Sequence, residues 1–150
     1  MLMYNTTDVE QSIKAFGNWF NWKPGQIRNI QDNFGQFIHT DKKEYGVVSL
    51  PEEFEDSTFK DTEQGQAILM EKRIEGRSNR VRHIQRIIHN ETVSLRVDLE
   101  KAGQKINPDL LMTPEVAKLY DELAAYKKEK DDAQRELMNK VQNIRKKLNE

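Results

Sequence analysis

The side chains best suited to chemistry are six cations between positions 72 and 86. They are Lys72, Arg73, Arg77, Arg80, Arg82 and Arg86, with Glu75 the sole acid among them. Arginine presents a planar fork of donors that matches carboxylate or phosphate through two parallel bonds. The run therefore suits ion pairing or anion binding. On a helix, Arg77 falls about 20° from the centre of an apolar stripe. Arg73 and Arg80 flank it on one side, while Lys72, Arg82 and Arg86 point away. Such a collar reads a duplex poorly but sits well among several acids. The acidic segment 52–63 is the obvious source of them, in the same chain or a neighbouring subunit. The competing readings are a solvated helix with internal salt bridges, and phosphate binding. A guanidinium on an apolar stripe is costly unless paired. Arg77 is thus expected to mark the place where its helix leaves its own core and meets a carboxylate.

Other chemistry has little support. The chain has no Cys, which excludes disulfides, thiol nucleophiles and thiolate metal sites. Its three histidines are His39, His83 and His89. The last two lie about 240° apart around a helix and share no face. No Gly-rich phosphate loop or nucleophile elbow is present. Carboxylates are abundant, but none lies in an apolar context that would raise its pKa. No catalytic residue, cofactor or metal ligand is assigned, and the expectation is a protein that is not an enzyme.

Aromatic side chains are the second resource. Ten of the twelve precede residue 60. Trp19 and Trp22 close the first apolar segment, with Trp19 about 100° off its stripe. Phe54 and Phe59 stand alone in the acidic stretch Glu52, Glu53, Glu55, Asp56, Asp61 and Glu63. Such a strap can lie along another surface with each Phe in a pocket, or its Phe can pack on the chain's own helices. Aromatic and Arg side chains are the usual anchors of interfaces. The expected partner-binding set is therefore Trp19, Trp22, Phe54, Phe59, Arg73, Arg77, Arg80, Arg82 and Arg86. Ordinary core packing is the alternative for the aromatics.

The elements that must position these groups read as all-α. Thr7-Asp8-Val9-Glu10 fits a capping box, and Val9, Ile13, Phe16 and Phe20 recur at helical spacing. Gly17 weakens that helix and Pro24 ends it. A second helix is expected over 25–38, with Ile27, Ile30, Phe34, Phe37 and Ile38 as its stripe. Residues 1–38 thus form a short N-terminal helical hairpin. Residues 39–62 form an irregular acidic strap, with 45–50 extended and one helical turn at 51–55. Residues 63–150 form a long antiparallel helical hairpin. Its first helix runs from about Thr62 to Ala102, stopped by Gly103, with breaks expected near Gly76 or Asn90. Its second starts at the cap Thr113-Pro114-Glu115 and continues to about Leu148. Val116, Leu119, Leu123, Tyr126, Ala133 and Leu137 make it coiled-coil-like. Val141, Ile144 and Leu148 follow after a phase shift.

Composition fits an elongated part rather than a compact enzyme. In 150 residues, 36% are hydrophobic and 33% charged, poor in core material and rich in surface. The net charge of −1 conceals an acidic first part, with 6 basic and 10 acidic residues in 1–62, and a basic middle, with 9 and 5 in 71–105. No run is long enough to cross a membrane. The N-terminus Met1-Leu2-Met3-Tyr4 has no basic n-region, so a signal or transit peptide is not expected.

The segment Ser49-Leu50-Pro51-Glu52-Glu53-Phe54-Glu55-Asp56, followed by the Arg-rich helix, resembles small virion proteins of tailed bacteriophages. The 11 Asn and 10 Gln of a Cys-free chain fit the same style. The resemblance covers roughly residues 45–105 and carries over no functional residue. It implies a capsid, neck or tail component in a virion assembled in host cytoplasm; without it, a cytoplasmic setting is expected. The expected function is a structural or adaptor component that binds other structural proteins or itself. The alternative is a nucleic-acid-binding module using the basic 72–86 helix. A third reading is a regulatory protein that masks a partner with its strap.

Overall fold

The computed structural model describes residues 1–149. Its first half is not helical but mixed. Strands β1 (Leu2–Asn5), β4 (Ile27–Asn29) and β5 (Val47–Ser49) form an antiparallel sheet in the order β4-β1-β5. Strands β2 (Gln11–Ala15) and β3 (Asn18–Trp22) form a separate hairpin. Helix α1 (Asp32–Asp41) follows β4. The long helices are α2 (Glu63–Lys101) and α4 (Pro114–Leu148), with the single turn α3 (Pro108–Leu111) in their connector. The fold is α+β, which overturns the all-α expectation and its helical hairpin at 1–38.

The reason lies in the period of the side chains. Ile13 and Ala15 are buried while Ser12 and Lys14 are exposed, and Trp22 is buried beside exposed Asn21. That is the alternation of a strand. Gly17 does not weaken a helix; it makes the hairpin turn. Phe16 and Gly17 both have positive φ, 50° and 81°, and they form the whole loop between the paired Ala15 and Asn18. Two positive φ values in a two-residue loop are the type I′ signature, whose twist matches that of the strands. The Phe16 ring is held against Phe37 and Phe34, at 4.8 and 6.0 Å between centroids, which offsets the strain of a left-handed Phe. No atom crowds Gly17. Gly17→Ala should therefore destabilise through backbone strain alone, by about 1 kcal/mol or slightly more. Thermal unfolding checks this; an unchanged midpoint would remove the turn assignment.

Pro24 also turns the chain. Gln26 N–H donates to Lys23 O at 3.0 Å, with Pro24 and the positive-φ Gly25 between them, as a type II turn requires. The supposed capping box is replaced by a buried polar hub. Asn5, Thr6 and Thr7 are fully buried. The Asn5 amide donates to Val9 O, Trp22 O and Lys23 O. Its oxygen accepts from the Thr7 N–H and hydroxyl at 2.9 and 2.8 Å. The segment between β1 and β2 thus gains its order from one amide rather than from helical bonds.

Three apolar clusters stack along the molecule. Met3, on one face of β1, joins Ile13, Ala15, Trp22, Ile30, Ile38 and Val47, with Phe20, Phe34 and Phe37 packed against them. Tyr4, on the other face, joins Val48, Leu50, Phe54 and Leu69. The central strand is therefore buried on both sides. The third cluster is Val81, Ile84, Ile88 and Leu123, between α2 and α4.

The long helices keep the expected bounds. Thr62 Oγ1 accepts from Gly65 N–H, and Thr113 Oγ1 from Val116 N–H. Helix α2 ends in a Schellman motif, with Gly103 N–H on Glu100 O and Gln104 N–H on Leu99 O. It does not break at Gly76 or Asn90. It is one rod of 39 residues, about 58 Å long. Gly76 is instead a point where α2 lies close against the end of β1 and the start of β5. A Cβ there would overlap Thr6 Oγ1 and come within 2.8 Å of Gly46 O.

Candidate interaction surfaces

The β1–β2 connection and helix α4 converge on the arginines of α2. Arg73, Arg77 and Arg80 follow 4- and 3-residue spacing and share one face. Arg77 is 7% exposed. Its Nε donates to Thr6 O at 2.8 Å, its Nη1 to Glu129 O at 2.8 Å and its Nη2 to Asp8 Oδ1 at 3.1 Å. One guanidinium thereby ties α2 to the β1–β2 connection and to α4. Arg80 donates to both oxygens of Glu129, at 3.0 and 3.3 Å, and lies 3.9 Å above the Tyr126 ring. Arg73 donates to the Tyr4 hydroxyl at 3.0 Å and to Glu136 Oε1 at 2.8 Å. Its Nε is buried without a partner. The pairs 73–136 and 80–129 run in opposite senses along the two helices, so α2 and α4 are antiparallel.

Arg77 does meet carboxylates on the face where the helix leaves its apolar packing, and they come from this chain. Its acids are Asp8 and Glu129, Arg80 shares Glu129, and Arg73 takes Glu136. None comes from the 52–63 strap, whose pairing with the basic run within the chain is therefore not formed among the described residues. The strap keeps its own order. Asp56 Oδ1 accepts from Thr58 N–H and Oγ1 at 2.9 and 2.7 Å. These bonds, the backbone one foremost, hold the Asp56 carboxyl below its ordinary range. The turn they favour is fully present above that ordinary value and lost as pH falls through the lowered one.

The remaining candidates divide between core and surface. Trp22 is fully buried; its indole N–H donates to Met3 O at 3.2 Å. Phe54 is buried and meets Phe59 edge to face at 4.8 Å. These three aromatics pack on the chain's own elements. Trp19 is 66% exposed, touched by Lys14 at 5.9 Å from the ring centroid. Arg82 and Arg86 lie on the outer face of α2, lining one shallow groove with Lys43 and His89. Arg82 donates to Asn79 Oδ1. No carboxylate among the described residues lies within ion-pair distance of either arginine.

A further unmet surface belongs to none of these residues. Beyond Glu136 the stripe of α4 continues as Leu137, Val141, Ile144 and Leu148, with 4-3-4 spacing. Val141, Ile144 and Leu148 are exposed, Leu148 at 80%, and Met138 beside them is exposed too. The phase shift after Leu137 was the sequence signal. Beyond it the apolar side chains of the stripe are exposed. Further exposed apolar residues are Val93 and Val97 near the end of α2, and Ile106, Leu110 and Met112 in the connector.

No helix of the described residues is long and apolar enough to cross a membrane. No protein-family model, curated protein or solved structure matches the chain.

Proposed function

We propose that this chain is a non-enzymatic structural or adaptor component of a larger protein assembly. The setting that its resemblance implies is a bacteriophage virion, as part of the capsid, neck or tail. The observation that carries the reading is the row of exposed apolar side chains on α4, Met138, Val141, Ile144 and Leu148. Single exposed apolar residues need no explanation. A row at coiled-coil spacing on a helix already committed to a helical pair is different. It presents side chains in register for a partner, and its burial would contribute roughly 25 cal/mol per Å². The ion pairs of Arg73, Arg77 and Arg80 fix this helix against α2 and the β1–β2 connection.

The test is the composition of large particles from the natural source. Sedimented particles should contain this chain at a fixed ratio to their major protein, as read by quantitative peptide mass spectrometry. Replacing Ile144 and Leu148 with Asp should lower that ratio by about tenfold or more. A chain that stays in the unsedimented fraction would overturn the reading.

A nucleic-acid-binding module is the second reading, favoured by the carboxylate-free groove of Lys43, Arg82, Arg86 and His89. It is weakened because Arg73, Arg77 and Arg80 are consumed by internal pairs. A labelled DNA duplex titrated at rising salt separates the two. Tight binding with a steep salt slope supports the groove; no binding at low salt removes it.

A further inference from the structure

We infer that the C-terminal arm of α4, residues 137–148, docks on the acidic strap of a second copy of this chain, reciprocally about a two-fold axis. The inference rests on the assembly reading and names its partner.

Charge selects the occupant. The arm carries Lys140, Arg145, Lys146 and Lys147, and no acid lies between 137 and 149. The strap from 52 to 63 carries Glu52, Glu53, Glu55, Asp56, Asp61 and Glu63 against one cation, Lys60. All six carboxylates are exposed, and among the described residues none pairs with a cation. Two arms facing each other would set like charges together. An arm facing a strap sets four cations against six acids.

Shape and chemistry agree with charge. The strap borders a concave surface lined by Met1, Leu2 and Leu50 together with Glu52 and Glu55; Asp32 beside them already pairs with the N-terminal ammonium at 3.0 Å. Apolar and unpaired acidic side chains in one concavity suit a helix with an apolar row and basic flanks, the helix-in-groove mode of recognition. The cations at 145–147 also favour the negative end of their own helix. That accounts for their place in the last turn but not for the apolar row beside them.

Position explains why the contact is made in trans and why it closes. Arg73 meets Glu136. Beyond that pair α4 has twelve residues left, and α2 has ten before it. The arm's tip and the start of α2 therefore lie at one end of the antiparallel pair. The strap lies at that same end, since a Cβ on Gly65 would overlap Phe59 O. The arm continues a helix fixed by Arg73 and Arg77, and none of its cations reaches a strap carboxylate of its own chain. Two copies brought end to end present an arm to each strap. Such an isologous contact uses each surface once and closes as a dimer.

A three-turn helix in a groove buries a small interface, even when doubled, so the expected dimer is weak. It should form in the micromolar range in sedimentation velocity. Raising NaCl from 50 mM to 500 mM should weaken it about tenfold or more, because surface charges are screened. Charge reversal gives the decisive arms. R145E/K146E/K147E and E52K/E53K/E55K should each be monomeric, and the two mixed together should dimerise again. All six side chains are exposed, and circular dichroism confirms that each variant is folded. Failure of the mixture to dimerise, or wild-type chain that is monomeric throughout, would overturn the inference. Wild-type chain that is monomeric yet enters particles leaves the assembly reading standing. A dimer that enters no particle overturns that reading alone.

Discussion

Replacing Arg77 with Ala should cost about 3–5 kcal/mol of stability, a large part of what holds a domain of this size together. The figure does not come from the worth of an ion pair. A buried pair often contributes little net, because both charges must leave water. The cost comes from what is left behind. Thr6 O would lose its donor, Glu129 O the second of its two donors (the helical N–H remains) and the Glu129 carboxylate one of its two arginines, in a site with little access to water. Arg80 would still bind Glu129, which keeps that carboxylate from being wholly unpaired and sets the upper limit. Arg77→Lys keeps the charge but not the fork, so it can serve one acceptor of the three and should recover less than half of the loss. Asp8→Ala removes only a well-exposed partner and should cost under about 1 kcal/mol. Arg82→Ala, on the outer face of α2, should fall within about 0.5 kcal/mol of wild type. Urea unfolding followed by circular dichroism measures all four. A loss below about 1 kcal/mol for Arg77→Ala would mean that the β1–β2 connection and α4 are not joined through this residue.

The second half of the chain was legible because its signals are long and local. Thr62, Gly103 and Thr113-Pro114 act on bonds within one turn, and each sits where its cap or stop was expected. A stripe of nine apolar residues, as on α4, fixes a helical period beyond ambiguity. The first part offers nothing comparable. Strands β1 and β4 have four and three residues, too short to show a period. Between Val9 and Phe20, spacings of four, three and four fit a helix as well as the residues between them fit a strand. The turn decides between them, and it uses Phe-Gly where Asn-Gly would have announced a hairpin. Met3 and Tyr4 carry no local sign that a central strand is buried on both faces.

Of the candidate site, residue types were readable and addresses were not. An arginine on an apolar stripe implies a carboxylate, and Arg77 has them. Which carboxylate depends on how α4 folds back and where β1 ends, and neither is written near residue 77. The strap looked like the natural donor because it holds the densest run of acid. The acids actually used, Asp8, Glu129 and Glu136, are scattered among residues of both signs. Their selection is geometric, since two antiparallel helices bring 73 to 136 and 80 to 129. The strap's unused charge is for the same reason informative, because an unmatched acidic surface and an unmatched basic arm remain on one molecule.

Gly76→Ala should destabilise the protein by about 2–3 kcal/mol, although helix propensity alone favours the change by about 1 kcal/mol. The opposition of sign is what makes the substitution diagnostic. In an exposed helix, Ala restricts the unfolded chain and covers the backbone, so the variant gains. Here the added Cβ would overlap Thr6 Oγ1 and stand 2.7 Å from Thr6 Cγ2 and 2.8 Å from Gly46 O. Thr6 cannot swing aside freely, because its hydroxyl donates to Gly46 O at 2.6 Å and its own N–H to the same oxygen at 3.1 Å. Gly46 is itself fixed by a positive φ of 72°. Relief therefore requires the rod to lift from the sheet. Lifting it stretches the bonds from Arg77 to Thr6 and from Arg73 to Tyr4, which lie one residue after Gly76 and three before it. The loss combines overpacking, usually about 1–3 kcal/mol, with weakened ion-pair geometry. Thr6→Ala in the same chain removes the side-chain overlap and leaves the Gly46 carbonyl in place. The double variant should therefore be more stable than the sum of the two single losses by about 1 kcal/mol. Asn90→Ala, on the exposed face of the same helix, supplies the propensity effect without the contact and should gain a few tenths of a kcal/mol. If Gly76→Ala instead stabilises the chain as Asn90→Ala does, α2 does not press on the sheet, and the angle at which the head holds the long hairpin is not set at this residue.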